Sequence, residues 1–441
     1  MGKKAIRFFI IFLAVSAIFS GTAAYARADR NSVDAVISSI PPDWPVPGEV
    51  HCRAAILMDA DSGEILYALR ATDPMYPAST TKLMTALLAL ENASLSDVVH
   101  FSSRAVAIPS GSSHIGMRRG EDMVMKECLI SLLLPSANEV ANAIAEHVSG
   151  DQKTFVARMN DRMVQLGGVN TVFKNTNGLQ DTEHYTCAYD LALIMKELVG
   201  NSTFVDIASL QSYVHHPDSL LPKTIPMTNT NMMIRPSSEY YNENVILGKT
   251  GHTAESGYNL VIYAEKDGTK LISVVMGAES GYQYISTESL LNYGFHSFRS
   301  VLPAELDDSL NIENRFTSSG LSLPTPEVSL LHLNAGETIL LPETVTFDSL
   351  DKQVTRDTTG IYITYLYRGY PLGSVALSYS ARENLPGIFA ESEESVRPKD
   401  VPELKMADGW LILALAGLTI VTGLLIWYLV RRFKPRNTFR S

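Results

Sequence analysis

The alternation of apolar and polar positions divides this chain into stretches of unlike period. Two runs carry no charge, residues 8–19 and the longer 409–430. Between them the pattern keeps changing. Residues 54–58 and 64–68 are short apolar runs around Asp61-Ser62-Gly63, which predicts a β-hairpin. Leu83, Ala86, Leu87 and Leu90 recur at helical spacing, so a helix with one buried face should start near Pro77 and Ser79. Residues 123–134 form a second helical run, stopped by Pro135. Ser136-Ala137-Asn138 then opens a third, residues 139–147, closed by Gly150. From 155 to 199 helical spacing continues with interruptions, including a turn at 175–179 and a helix at 191–199. Residues 245–253, 258–264 and 271–276 read as strands, the last two joined by Lys266-Asp267-Gly268, and 285–298 as a helix. Strands at both ends of a helical middle imply an α/β or α+β domain with an antiparallel sheet.

From about 307 the helical period disappears. Short strand-like runs at 327–333, 338–341, 343–347, 361–367 and 374–379 alternate with Gly-containing turns, which predicts a small all-β domain. The expected organisation is therefore a signal peptide (1–26), a Pro-containing linker (27–50) and a main domain (51–300). A β-rich domain (307–388), a charged tether (389–408), a transmembrane helix (409–430) and a basic tail (431–441) follow. The signal peptide rests on Lys3, Lys4 and Arg7, the uncharged run after them, and the small-residue cleavage site Ala24-Tyr25-Ala26. The second uncharged run would make a helix of about 33 Å, enough to cross a bilayer. Trp410, Trp427 and Tyr428 stand at its ends, and Arg431, Arg432, Lys434, Arg436 and Arg440 follow, which would keep the tail cytoplasmic and the rest outside.

Charge sharpens this picture. The whole chain carries a net −11. Without the three cations of the signal and the five of the tail, the portion between them carries −19. So acidic a surface excludes nucleic acid as a partner. The three cysteines, Cys52, Cys128 and Cys187, form no CxxC and lie at no metal-ligand spacing from histidine, and His215-His216 reads as a loop pair. No metal and no cofactor is expected.

Chemistry concentrates in three short motifs. Ser79 and Lys82 are three apart and share one side of a first helical turn. A serine hydroxyl attacks only when a base takes its proton, and a lysine does so when burial or a nearby cation lowers its pKa. Ser136 and Asn138 lie at an interhelical turn. Lys249-Thr250-Gly251 lies on a strand whose small residues leave an edge open to a ligand backbone. Taken singly, each of the first two motifs is better read as a helix cap. Taken together and in order, they are the trio of penicillin-binding proteins and serine β-lactamases.

The chain resembles the low-molecular-weight penicillin-binding proteins of the D-alanyl-D-alanine carboxypeptidase type, peptidase family S11. The resemblance runs from about Ala54 to the end. It includes Tyr76-Pro77-Ala78-Ser79-Thr80-Thr81-Lys82, Leu133-Leu134-Pro135-Ser136-Ala137-Asn138 and Gly248-Lys249-Thr250-Gly251-His252-Thr253. Ser256-Gly257 stands where relatives have Ala-Gly, and the anchor is more apolar than the amphipathic helix of many relatives. The resemblance implies the serine β-lactamase/penicillin-binding-protein transpeptidase fold, followed by the small all-β domain and the transmembrane helix.

It also implies roles. Ser79 would attack the carbonyl between two terminal D-alanines of a peptidoglycan stem peptide, with Lys82 as base. Ser136 would relay the proton and Asn138 would hold Lys82 and the substrate amide. Lys249 and Thr250 would receive the terminal carboxylate, with Gly251 beside them. The backbone N–H groups of Ser79 and His252 would form the oxyanion hole. β-Lactam antibiotics and the cell membrane are the other implied partners. A β-lactamase and a non-enzymatic sensor of wall ligands or antibiotics are the alternatives. The first lacks a Glu-x-x-Leu-Asn between Ser136 and Lys249, and the second has a tail too short for a signalling domain.

Overall fold

A computed structural model of the chain describes residues 30–308, 331–356 and 360–379. The expected signal peptide, tether, transmembrane helix and tail lie outside these residues. Among the described residues no helix is long and apolar enough to cross a membrane.

The chain enters through helix α1 (Arg30–Ser38), then the hairpin β1 (Ala54–Asp59) and β2 (Ile65–Leu69). A 3₁₀ turn (Ala78–Thr81) leads into α2 (Lys82–Asn92). Strands β3 (Val98–His100) and β4 (Asp122–Val124) bracket a long loop. Helices α3 (Met125–Leu133), α4 (Asn138–Ser149), α5 (Gln152–Gln165), α6 (Ala188–Val199) and α7 (Ser202–Ala208) follow. A small hairpin, β5 (Ser212–His215) and β6 (Ile225–Thr228), precedes the long strands β7 (Val245–Thr253), β8 (Gly257–Lys266) and β9 (Thr269–Ala278). Then come α8 (Tyr282–Ser297), β10 (Phe298–Val301) and the short α9 (Pro303–Leu306).

The central sheet has the order β2-β1-β9-β8-β7, and its pairs are all antiparallel. Its period-2 alternation is apolar on both faces. Ile56, Met58, Val261, Tyr263, Val274 and Met276 join the core beneath α2 to α6. Their neighbours Ala55, Leu57, Leu260, Ile262, Leu271 and Val275 join a second core beneath α8. A sheet covered on both faces needs such double-sided strands. β7 is the outer strand, so one of its edges remains for the site.

α2 departs from the expected single buried face. Lys82 to Ala89 are all buried, because α3, α4 and α6 surround the helix. A helix packed all round cannot be amphipathic.

The 27–50 segment, expected as a linker, is a correction. It contains α1, and Trp44 is buried in the second core. Its Nε1 donates to Leu66 O (3.0 Å), and its ring meets Phe298 and Tyr370 at 5.4 and 5.2 Å. Prolines shape this stretch around a buried aromatic, where the sequence pattern suggested only flexibility.

The later strands are β11 (Leu331–Leu333), β12 (Ile339–Pro342), β13 (Asp351–Arg356), β14 (Ile361–Tyr367) and β15 (Tyr370–Tyr379). β11, β15, β14 and β13 form one antiparallel sheet, while β12 pairs with β10. The expected strand at 343–347 is instead a turn running into the 3₁₀ turn Phe347–Ser349. β13 is a strand that its polar, largely exposed sequence hides. All described residues belong to one compact unit, and Ile339, Tyr365, Tyr370 and Val375 share the second core with Leu57 and Leu66.

Candidate active site

Ser79 sits on the 3₁₀ turn ahead of α2, not at a helix cap; no side chain caps either element. That turn is held from three sides. Asn259 on β8 donates to the carbonyls of Tyr76 (2.9 Å) and Pro77 (3.0 Å) and accepts from Gly277 N (2.8 Å). Ala78 takes φ +48°, a left-handed conformation costly for an L residue. Two glycines let backbone press against it. A Cβ on Gly178 would stand 1.7 Å from Ala78 O, and one on Gly251 would stand 2.8 Å from Pro77 O. The serine is therefore presented by a strained, over-determined loop.

Lys82 lies one turn on, fully buried. Its Nζ meets Ser79 Oγ at 2.9 Å, Asn138 Oδ1 at 2.7 Å and Asn177 O at 2.7 Å. Burial is the main cause that holds its pKa well below that of an ordinary lysine. The charge of Lys249 pushes the same way, and Glu139 opposes. A neutral amine has two hydrogens and one lone pair. Two of its three neighbours are oxygens that only accept, so both hydrogens are committed to them. The lone pair then faces the Ser79 hydroxyl, the geometry of a general base.

Asn138 begins α4 and Ser136 lies just ahead of it, yet neither caps it: the cap position is Ala137, with no side-chain bond. Ser136 has φ +66°, and its buried Oγ has no hydrogen-bond partner among the described residues. Asn138 N donates to Ser113 O (2.9 Å). Next to it, Glu139 Oε1 accepts from the N–H groups of Ile115, Gly116 and Met117 (2.8, 3.1 and 3.4 Å). The start of α4 thus anchors the loop that carries Ser110 to Ser113 over the site.

Lys249 on β7 is also buried, and burial lowers its pKa to about 7. Its Nζ donates to Thr250 O (3.1 Å). Thr250 Oγ1 and Thr230 Oγ1 lie 2.7 Å apart. Gly251 brings β7 against the Ser79 turn, and the His252 ring stacks on Tyr258 with centroids 4.1 Å apart. A cavity of about 830 Å³ is lined by Ser79, Ser136, Asn138, Thr250, Gly251 and His252, among others. Lys82 and Lys249 lie behind this lining. Among the described residues neither lysine forms a salt bridge, and Glu139 is the carboxylate that acts on Lys82 from nearby.

All eight sequence-derived residues meet in this one place. Sequence reasoning missed several that hold them. Asn177 supplies the carbonyl for Lys82, and Asn259 clamps the nucleophile turn. His184 Nδ1 accepts from Lys174 N (3.1 Å), so its Nε2–H donates to Thr81 Oγ1 (2.9 Å). Burial lowers the His184 pKa to about 4, which keeps that tautomer neutral. The available signal was polar residues inside apolar runs, such as Asn142, one helical turn from Asn138. His215, read as a loop residue, lies buried on β5 and contacts Glu127 at 2.8 Å.

A family model described as D-alanyl-D-alanine carboxypeptidase matches residues 40–280. Among curated proteins, the chain is 32% identical over 254 residues to D-alanyl-D-alanine carboxypeptidase DacF of Bacillus subtilis, covering 56% of this chain and 63% of that one. It is 32% identical over 268 residues to D-alanyl-D-alanine carboxypeptidase DacC of Escherichia coli, covering 58% and 64%. The match thus spans less than two thirds of these relatives' length. Among solved structures, penicillin binding protein 6B from Escherichia coli has a TM-score of 0.58 at 25% identity, covering 76% of this chain and 98% of that one. Penicillin binding protein 5 from Haemophilus influenzae has a TM-score of 0.59 at 25% identity, with the same coverage.

Proposed function

Because the chain belongs to the D-alanyl-D-alanine carboxypeptidase family, we propose that it is a serine-type carboxypeptidase that removes the terminal D-alanine from peptidoglycan stem peptides and is acylated by β-lactams. The observation that carries this reading is the Lys82 amine, buried and 2.9 Å from Ser79 Oγ, with both its hydrogens committed elsewhere.

The reaction follows from these positions. Lys82 takes the Ser79 proton as Oγ attacks the carbonyl carbon between the two D-alanines. The carbonyl oxygen becomes an anion, received by the backbone N–H groups of Ser79 and His252; such a donor is worth about 3–4 kcal/mol. The C–N bond then breaks. The departing amine takes the proton from Lys82 through Ser136 Oγ, whose freedom from other partners suits a relay. Water, deprotonated along the same route, cleaves the acyl-enzyme and restores Ser79. The substrate's terminal carboxylate lies against Thr250 and Lys249. Its charge favours the lysine cation that burial alone disfavours.

The reading extends to location. A signal peptide at 1–26 and an apolar helix at 409–430 would place the catalytic domain outside the cell on a single-pass anchor, with residues 307–388 as a β-rich spacer; the sequence pattern supports this.

Labelling tests both. Cells expressing the full chain are treated with a fluorescent penicillin and fractionated. A stable covalent label is expected in the membrane fraction, absent from Ser79→Ala. Equal label on the variant removes Ser79 from its role, and label in the soluble fraction removes the anchor. Rapid turnover without a stable adduct favours a β-lactamase. Labelling without release of D-alanine from a D-Ala-D-Ala peptide favours the sensor.

A further inference from the structure

We infer that Asn142, which lies outside the cavity lining, is a positioning residue for the general base: it holds the Asn177 carbonyl in the direction that leaves the Lys82 lone pair facing Ser79. The inference rests on the catalytic reading above and extends it to a residue that touches no substrate.

Of the two oxygens that take Lys82 hydrogens, one is a side-chain amide and the other is the backbone carbonyl of Asn177. A carbonyl cannot reverse its role, so it defines the direction of one N–H. Its own placement depends on the turn at Asn175–Gly178. Within that turn, Asn175 Oδ1 accepts from Asn177 N (3.3 Å) and Gly178 N (2.7 Å), which fixes its shape. Asn142 joins the turn to α4. Its Oδ1 accepts from Thr176 Oγ1 (2.7 Å) and Asn177 Nδ2 (3.2 Å). Its Nδ2 donates to Ala105 O (3.1 Å), and because that oxygen only accepts, the amide orientation is determined. Thr85 Oγ1, one turn beyond Lys82 on α2, donates to Thr176 O (2.6 Å) and closes the arrangement.

Asn142 is buried and four residues after Asn138. One face of α4 therefore delivers both Lys82 acceptors, Asn138 directly and Asn177 through Asn142. A buried amide in mid-helix is costly unless its hydrogen bonds are made. Here three of them are spent on the turn and on the chain at Ala105.

The two protonation states of Lys82 respond differently to loss of this support. The cation has three hydrogens and needs the Ser79, Asn138 and Asn177 oxygens together. The neutral amine needs only two acceptors. Loosening the carbonyl therefore disfavours the cation more, yet frees the lone pair to turn away from Ser79. Lys249 and Glu139, the charged groups that act on Lys82, are left in place.

The test is the rate of penicillin acylation against pH, using the full-length chain in detergent. For Asn142→Ala, the plateau should fall about tenfold, the worth of one hydrogen bond. The acidic limb should move to lower pH by about half a unit. A merely structural lesion lowers the active fraction and leaves the limb unmoved. Asn142→Asp keeps an acceptor oxygen for Thr176 and Asn177, so it should restore most of the plateau, while its charge moves the limb to higher pH. If Asn142→Ala does not fold, Thr176→Val, which removes one of the two bonds to Asn142 Oδ1, should give the same signs with smaller changes. An unmoved limb overturns the inference whatever the plateau does, and so does a plateau within twofold of the parent. Failure of the parent chain itself to label at Ser79 would instead overturn the catalytic reading.

Discussion

The two faces of the central sheet are built to different ends. On the face beneath α2 to α6, the apolar core surrounds two buried lysines without salt bridges and a serine hydroxyl without a partner among the described residues, alongside non-glycine residues at φ +48° and +66°. On the face beneath α8 and the later strands, the polar atoms of the large aromatic side chains Trp44, Tyr293 and Tyr370 are satisfied. Trp44 Nε1 and Tyr293 OH both bond Leu66 O, and Tyr370 OH donates to Ile65 O. The exception is Glu64, near Tyr293 and Tyr370, whose carboxyl oxygens are buried with no hydrogen-bond partner among the described residues; burial raises its pKa well above the usual carboxylate range. The same strands supply both faces. The first holds unfavourable charge and backbone strain in place for chemistry, and the second supplies apolar burial that lets the fold tolerate them.

The largest expected effect comes from the second face. Trp44→Ala removes an indole that is 7% exposed and packed at an angle against Phe298 and Tyr370. It should destabilise the protein by about 3–5 kcal/mol. Penicillin acylation per folded molecule should stay at the parental rate, since no site residue touches the indole. Urea unfolding with an active-site titration of the remaining folded protein measures both. A loss of acylation rate in the folded fraction would show that the two faces are coupled and the contrast is false.

An intermediate effect comes from the buried lysines. Folding depresses the Lys249 pKa from an ordinary 10.5 to about 7. Between those values the unfolded chain holds a proton that the folded chain has released, so stability rises with pH across this window. One such group contributes at most about 1.4 kcal/mol per pH unit. Lys82, shifted in the same direction, adds to the rise. Denaturation midpoints between pH 7 and 10 should therefore climb, and Lys249→Met should flatten part of the climb. An unchanged slope in that variant would mean that Lys249 keeps its proton in the folded protein.

These contrasts also explain what the amino-acid order made legible. The double-sided strands 258–264 and 271–276 could be read because burial on both faces leaves a nearly continuous apolar signal. The three motifs could be read because each reactive group sits beside its helper in a short stretch. What escaped were supports far apart in the chain. Asn177 lies 95 residues from Lys82 and Asn259 lies 182 from Pro77, and no local period records such a contact. Trp44 escaped because the prolines around it imitate a linker. β13 escaped because an edge strand with Asp351, Lys352 and Arg356 carries the polar pattern that discourages pairing with other chains.

The smallest effect gives the sharpest contrast, because its sign is opposite for stability and for activity. Ser136 holds a left-handed backbone, which costs an L residue roughly 1–2 kcal/mol. Its hydroxyl is buried without a partner among the described residues, a further penalty of about 1–3 kcal/mol. Ser136→Gly relieves both and loses about 0.5–1 kcal/mol to the freer unfolded chain. Net stabilisation of about 1 kcal/mol or more is expected, read as a higher urea midpoint. On the helical face of the sheet, however, that hydroxyl is the proposed proton relay, and its removal should slow D-alanine release about 10²–10⁴-fold. A core serine kept only for packing would show stabilisation with activity intact. A serine satisfied by solvent in solution would show only the smaller gain from the relieved backbone. Gain of stability together with loss of turnover is the outcome that ties the strain at this position to the chemistry it serves.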